Sequence, residues 1–209
     1  MTKSTLALYQ KYFVDREFER RDLFQIIADR FTLQCVLYPG SFVHITPSFI
    51  FPEVVYVDND RQARQFFDAP ETDELIAQKK NYSQMAQVRY HFADYRNGFA
   101  EDPDSFDLLI SQYAGFVGQD CKKYLKTGGL LLANNSHGDA GLAAIDRNYQ
   151  LIGVFFLRKG KYSIRETNLD EYFVPKSPIR VTKEYLEKLQ KGIAYKRVGN
   201  AYLFRKVTG

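Results

Sequence analysis

Four short apolar runs and one alternating run, each closed by a turn residue, an acid or a small polar residue, alternate with stretches of helical periodicity over the first two thirds of the chain. The apolar runs are Gln34–Tyr38, Val54–Val57, Phe106–Ile110 and Leu130–Ala133, and Val88-Arg-Tyr-His-Phe92 alternates as a strand with one covered face does. Continuous apolarity over four or five residues suits a strand buried on both faces, which is the habit of a parallel sheet covered by helices. Between the runs, Ala63, Phe66 and Phe67 recur at helical spacing, with Asp60 placed to cap their helix, and 71–86 carries Leu75, Ile76 and Met85. Val117, Cys121, Tyr124 and Leu125 fall at i, i+4, i+7 and i+8, and Gly128-Gly129 reads as the stop of that helix. Strands alternating with helices imply parallel pairing through right-handed crossovers.

The ends of the chain read differently. Leu6, Tyr9 and Phe13, then Leu23, Ile27 and Phe31, predict one or two amphipathic helices over 4–30, with the charged run Asp15–Asp22 as their solvated face. In the last third, 151–157, 162–166 and 201–206 read as strands, and a helix over 182–191 is capped by Thr182 and closed by Gly192. The expectation is therefore an N-terminal helical segment, 1–30, on one α/β domain, 31–209. Its sheet is mainly parallel and seven-stranded, with an antiparallel strand near one edge and helices on both faces. A chain of 209 residues is of the right size for one such core.

Composition narrows the function classes. Only Cys35 and Cys121 are present, with no CxxC or Cys/His cluster, which argues for a reducing, cytoplasmic setting and against a metal site. No apolar run approaches the ~20 residues a membrane helix needs, and the N-terminus turns charged too early for a secretory signal. The formal charge of +4 is spread among 25 acidic residues, so a small-molecule substrate is favoured over nucleic acid. Neither G-x-G-x-x-G nor G-x-x-x-x-G-K-[ST] nor G-x-S-x-G occurs, which sets aside dinucleotide enzymes, P-loop enzymes and serine hydrolases with a nucleophile elbow.

In open parallel sheets, ligands bind beyond the carboxyl ends of the strands. Those ends carry Tyr38-Pro-Gly-Ser41, Asp58-Asn-Asp60, Asp94-Tyr95 and Ser111-Gln-Tyr113. Together with Val54-Val-Tyr-Val-Asp58, Phe106-Asp-Leu-Leu-Ile-Ser111 and Tyr124-Leu-Lys-Thr-Gly-Gly-Leu-Leu-Leu132, they resemble the class I S-adenosylmethionine-dependent methyltransferases over roughly 30–135. The resemblance implies a Rossmann-like fold and S-adenosylmethionine as cofactor, with no catalytic residue specified. It implies cofactor contacts from Tyr38, Gly40, Ser41, Asp58, Asn59, Asp94, Tyr95 and Ser111, the acid Asp58 on the ribose and Asp94 on the adenine amino group. Gln112, Tyr113, His44 and His137 are the substrate-side candidates.

The family's first loop, D/E-x-G-x-G-x-G, falls here on Tyr38, Gly40, Phe42 and His44, so one glycine remains and the leading acid is Tyr. The span from Gly40 to Asp58 is also short for the usual first helix. Two outcomes follow. Either the loop after Gly40 swings clear and the protein is a methyltransferase, or Phe42 fills the pocket and the protein is a non-catalytic relative of that fold. Asp58, the strongest site candidate, has a turn or cap as its second reading, a role Asp60 could fill instead; Asp94 has the same two readings, and a lone loop histidine is more often structural than catalytic.

Overall fold

The structure, a computed structural model, describes residues 6–208, which fall into two compact units divided between Ala100 and Glu101. Residues 4 and 5 of the expected N-terminal helix lie outside the described residues. The described residues form eight strands, three in the first unit and five in the second, one more than expected.

In the first unit the N-terminal segment is α1 (Ala7–Tyr9), a π-helical turn Gln10–Val14 and α2 (Arg21–Arg30). Strands β1 (Cys35–Pro39), β2 (Glu53–Asp58) and β3 (Gln87–Phe92) pair in parallel, in the order β3-β2-β1. Val54 to Val57 are fully buried, as their unbroken β-branched and aromatic run requires. Helix α3 (Arg61–Phe67) starts at Asp60, whose carboxylate accepts from the Gln62 and Ala63 amides at 2.6 and 3.2 Å, the expected cap. Helix α4 (Pro70–Lys79) ends well before residue 86, and Met85 is exposed rather than on an apolar helix face.

Between β1 and β2 the only helix is the 3₁₀ turn Thr46–Phe49, all four residues buried. The space of a longer first helix is taken by aromatic rings. Tyr9, Phe13, Val43, Ile45, Phe49, Ala63, Phe66 and Ile76 form one core cluster, so α1 is packed into the first unit rather than laid on it. The run Asp15–Asp22 is accordingly only partly a solvated face. Arg20 is buried and holds a positive φ of 55°, and the Tyr9 hydroxyl donates to the Glu19 carboxylate.

The second unit contains β4 (Phe106–Ser111), α5 (Val117–Asp120), β5 (Leu125–Ala133), α6 (Asp139–Ile145), β6 (Tyr149–Arg158), β7 (Lys161–Arg165), α7 (Lys183–Leu189) and β8 (Ala201–Lys206). Its strand order is β4-β5-β8-β6-β7, with β4 parallel to β5 and the remaining neighbours antiparallel. The extra strand is β7, joined to β6 by Lys159-Gly160. Both turn residues have positive φ, 50° and 75°, as a two-residue type I′ hairpin requires.

Three expectations change here. The helix over 117–125 is broken into α5 and a 3₁₀ turn Lys122–Tyr124. Gly128-Gly129 does not stop a helix. It lies in a bulge of β5, where the pairing passes from Phe106↔Leu125 to Leu108↔Leu130, two residues on β4 against five on β5. Helix α7 is capped by Thr182, which accepts from the Tyr185 amide at 3.2 Å, but it is closed by Gln190 in the left-handed region, not by Gly192.

Candidate functional site

The loop after β1 is built by backbone conformation. Gly40 (φ 63°) donates its amide to the Val57 carbonyl at 2.7 Å. Phe42, at the position of a family glycine, holds φ 50°, a left-handed conformation that costs a side-chain residue about 1 kcal/mol. Its amide donates to Asp58 Oδ2 at 2.7 Å, and the Asp60 amide donates to Asp58 Oδ1 at 2.9 Å. The half-buried Asp58 carboxylate is thus fixed at the end of β2 by two N–H groups, each taking one lone pair of a different oxygen. Each oxygen retains acceptor capacity. The Phe42 ring packs edge-on to Tyr12, 5.6 Å between centroids, beside the aromatic core cluster of this unit. Asn59 next to Asp58 is exposed.

His44 and Tyr38 belong to the same unit but face inward. His44 is buried, stacked on Phe13 at 4.3 Å. Its Nε2 lies 3.1 Å from the Glu19 carbonyl, which can only accept, so Nε2 carries the proton and Nδ1 accepts from the Tyr38 hydroxyl at 3.0 Å. Burial, aided by the nearby Arg20 guanidinium, pushes the imidazole down to about 3. It is neutral and pins the N-terminal segment to the loop. Ser41 is buried too, its hydroxyl donating to the Phe42 carbonyl at 3.3 Å.

At the end of β3, Asp94 accepts from the Arg96 amide at 3.0 Å and from the Arg96 guanidinium Nε at 2.9 and 3.1 Å. The Arg96 hydrogen bonds hold its carboxyl below the usual carboxylate range. The cap role weighed for this acid is present, and Tyr95 beside it is half-buried.

In the second unit Ser111 and Gln112 are buried at the end of β4, whereas Tyr113 is half-exposed at φ 64°. His137 is exposed in the turn after β5. Ser111 donates its hydroxyl to Asp139, a buried carboxyl opening α6, and the Gly118 amide donates to the same oxygen at 2.8 Å. The Tyr149 hydroxyl donates to the Gly118 carbonyl at 2.9 Å. Asp139 and Gly118 were outside the sequence expectations, because 139–145 reads Asp-Ala-Gly-Leu-Ala-Ala-Ile, too poor in large apolar residues to mark a helix. The single acid directly after Gly138 was the available signal.

Among the described residues no group of three His, Cys, Asp or Glu side chains could hold a metal ion, and no helix is long and apolar enough to cross a membrane. Cys121 is buried, as its place on an apolar face implies, and Cys35 is half-buried with its thiol pushed up to about 12 by burial.

No family model matches the chain, and no curated protein matches it. Solved structures do. A methyltransferase from Geobacter sulfurreducens superposes with a TM-score of 0.53 at 15% identity, over 100% of this chain and 91% of that one. A S-adenosylmethionine-dependent methyltransferase from Thermotoga maritima gives 0.52 at 8% identity, over 97% and 96% of the two chains. At such identities the likeness is one of architecture, and it bears out the resemblance drawn from the strand ends: this chain has the fold of the class I S-adenosylmethionine-dependent methyltransferases.

Proposed function

We propose that this protein is a S-adenosylmethionine-dependent methyltransferase acting on a small molecule. The observation that carries the reading is the clamp on Asp58. Phe42 keeps the left-handed backbone of the glycine it replaces, sends its ring toward Tyr12, and spends its amide on orienting the Asp58 carboxylate. A half-buried acid at a strand's carboxyl end, held still and with lone pairs to spare, fits a ribose diol.

On this reading Gly40, Ser41 and Asn59 line the adenosine end through backbone and side chain, with Tyr38 beneath them. Asp94, kept ionised by Arg96, accepts from the adenine amino group, and Tyr95 flanks it. In the second unit the family resemblance assigns Ser111 a cofactor-side role and Gln112, Tyr113 and His137 acceptor-side roles. His44 supports the loop from below. The cofactor, when bound, would supply a methyl group on a sulfonium for transfer to an acceptor nucleophile, with the neutral thioether as the leaving group. Positioning supplies much of the rate in such a transfer, so no conspicuous acid or base is required.

Calorimetry with S-adenosylhomocysteine tests this. Asp58→Asn keeps one acceptor for the Phe42 amide but loses the charge, and affinity should fall roughly ten- to a hundredfold, the worth of hydrogen bonds to a charged group. Asp60→Ala should cost only about 1 kcal/mol of stability, as a lost cap, with affinity unchanged. No heat at millimolar ligand, or equal affinity in Asp58→Asn and the parent, overturns the assignment.

A further inference from the structure

Asp139 is a buried carboxyl for which the structure provides an incomplete set of partners. It is 2% exposed. Oδ2 receives both the Ser111 hydroxyl and the Gly118 amide, while Oδ1 has no hydrogen-bond partner among the described residues. The seat is made for it. A Cβ at position 118 would stand 3.0 and 3.1 Å from the two carboxylate oxygens and 2.8 Å from Leu131 Cδ2, so only glycine lets the acid lie over that amide. The titratable groups acting on it are Asp120 in α5, Cys121 just beyond it and Tyr149 at the start of β6. All three are acids, and none favours a negative charge at Asp139. Burial, with Asp120 adding to it, pushes the carboxyl up to about 7 in spite of the two hydrogen bonds.

The geometry decides where a proton on this carboxyl sits. On Oδ1 it would be a buried donor without an acceptor, which costs on the order of 1–3 kcal/mol. On Oδ2 it points to Ser111 Oγ, and Oδ2 still accepts the Gly118 amide through a lone pair. We propose that Asp139 is a positioning residue for Ser111. Protonated, it donates to Ser111 Oγ and leaves the serine's own proton free to be given to a ligand. Ionised, it captures that proton and leaves Ser111 an acceptor only. The proton comes from solvent and returns to it, and no other bond changes.

The consequence for binding rests on the reading of Ser111 as a ligand-side group in the methyltransferase proposed above. An oxygen that accepts from Ser111 is then bound more tightly below pH 7 than above it. The Tyr149 hydroxyl does not take that role, being spent on the Gly118 carbonyl.

Two measurements test the couple separately from that reading. Infrared difference spectra between pH 5.5 and 8.5 should show a neutral carboxylic acid in the parent that ionises near pH 7 and is missing from Asp139→Asn. In Ser111→Ala, which removes only a hydroxyl, the ionised form loses its charge-assisted hydrogen bond, so the midpoint should rise by about one pH unit. S-adenosylhomocysteine affinity should fall several-fold from pH 6 to pH 8.5 in the parent and stay level in Asp139→Asn. A carboxyl already ionised at pH 5.5, a midpoint unmoved in Ser111→Ala, or a titrating carboxyl with pH-independent affinity overturns the proposal. Absence of binding at every pH overturns the methyltransferase reading instead, and the Ser111→Ala midpoint then judges the Asp139–Ser111 couple by itself.

Discussion

His44 shows how one residue can carry a fold decision that its type conceals. As a loop histidine near a strand end it had a claim on the substrate side, yet its ring lies between Phe13, the Tyr38 hydroxyl and the Glu19 carbonyl. The sequence distance to Glu19 is what hid this: nothing local to His44 announces a partner 25 residues earlier. Its pH behaviour follows. The folded value near 3 lies below the unfolded 6.5, so between them the unfolded chain binds more protons, and the His44 contribution is lost as pH falls from about 6.5 toward 3. Asp139 runs the other way. Its folded value near 7 lies above 3.8, so its burial costs stability as pH rises through that window. In the parent the two slopes oppose each other. His44→Phe should cost about 1–3 kcal/mol at pH 7, from two stranded partners, and that deficit should shrink by roughly 2 kcal/mol at pH 4.5. Urea unfolding of both proteins at the two pH values measures it. A constant difference would mean that His44 is charged in the folded state.

Among elements, strands such as β2 were legible because burial on both faces leaves no alternation to misread, as in Val54–Val57, whereas β3 was legible by its alternation. Helix α6 was not legible, for its buried face is made of Ala140, Gly141 and Ala143 around a single Leu142. Glycines misled for a different reason: a stop signal and a close approach look the same in a sequence. Gly192 is the second kind. A Cβ there would lie 1.9 Å from the Asn135 carbonyl oxygen and 2.5 Å from Asn135 Nδ2, while the Gly192 amide donates to the Ser136 carbonyl at 3.3 Å. The segment after α7 thereby leans on the turn after β5, the turn that carries His137. Gly192→Ala has backbone in its way and should cost about 3 kcal/mol or more, or free that turn. Gly160→Ala meets nothing within 4 Å and is limited to the strain of its φ of 75°, about 1 kcal/mol. Thermal unfolding of the pair separates the two. Similar losses would show that the Asn135 contact yields easily.

At the scale of the molecule, each unit has its own way of closing. In the first, the rings of the N-terminal segment and of 42–49 occupy the place of a longer crossover helix, which the short interval between Gly40 and Asp58 had foreshadowed. In the second, Lys206 at the end of β8 is buried, with its ammonium donating to the Leu125 carbonyl at 2.7 Å and to Asp104 at 3.1 Å, so the last strand is anchored by charge as well as by its ladder. That strand enters between β5 and β6, antiparallel to both. A nascent chain therefore makes the β6–β7 hairpin long before there is a strand for it to join, and β5 waits with one edge bare over the same interval. Unpaired edges of this kind invite foreign strands. The slot also accepts its own strand from outside. A chain ending at Val198 should be aggregation-prone alone and regain a folded second unit, read by circular dichroism and by solubility, when a synthetic peptide spanning residues 199–208 is added during refolding. A peptide carrying Lys206→Glu should fail to rescue it, because the carbonyl of Leu125 would then face a buried anion in place of a donor.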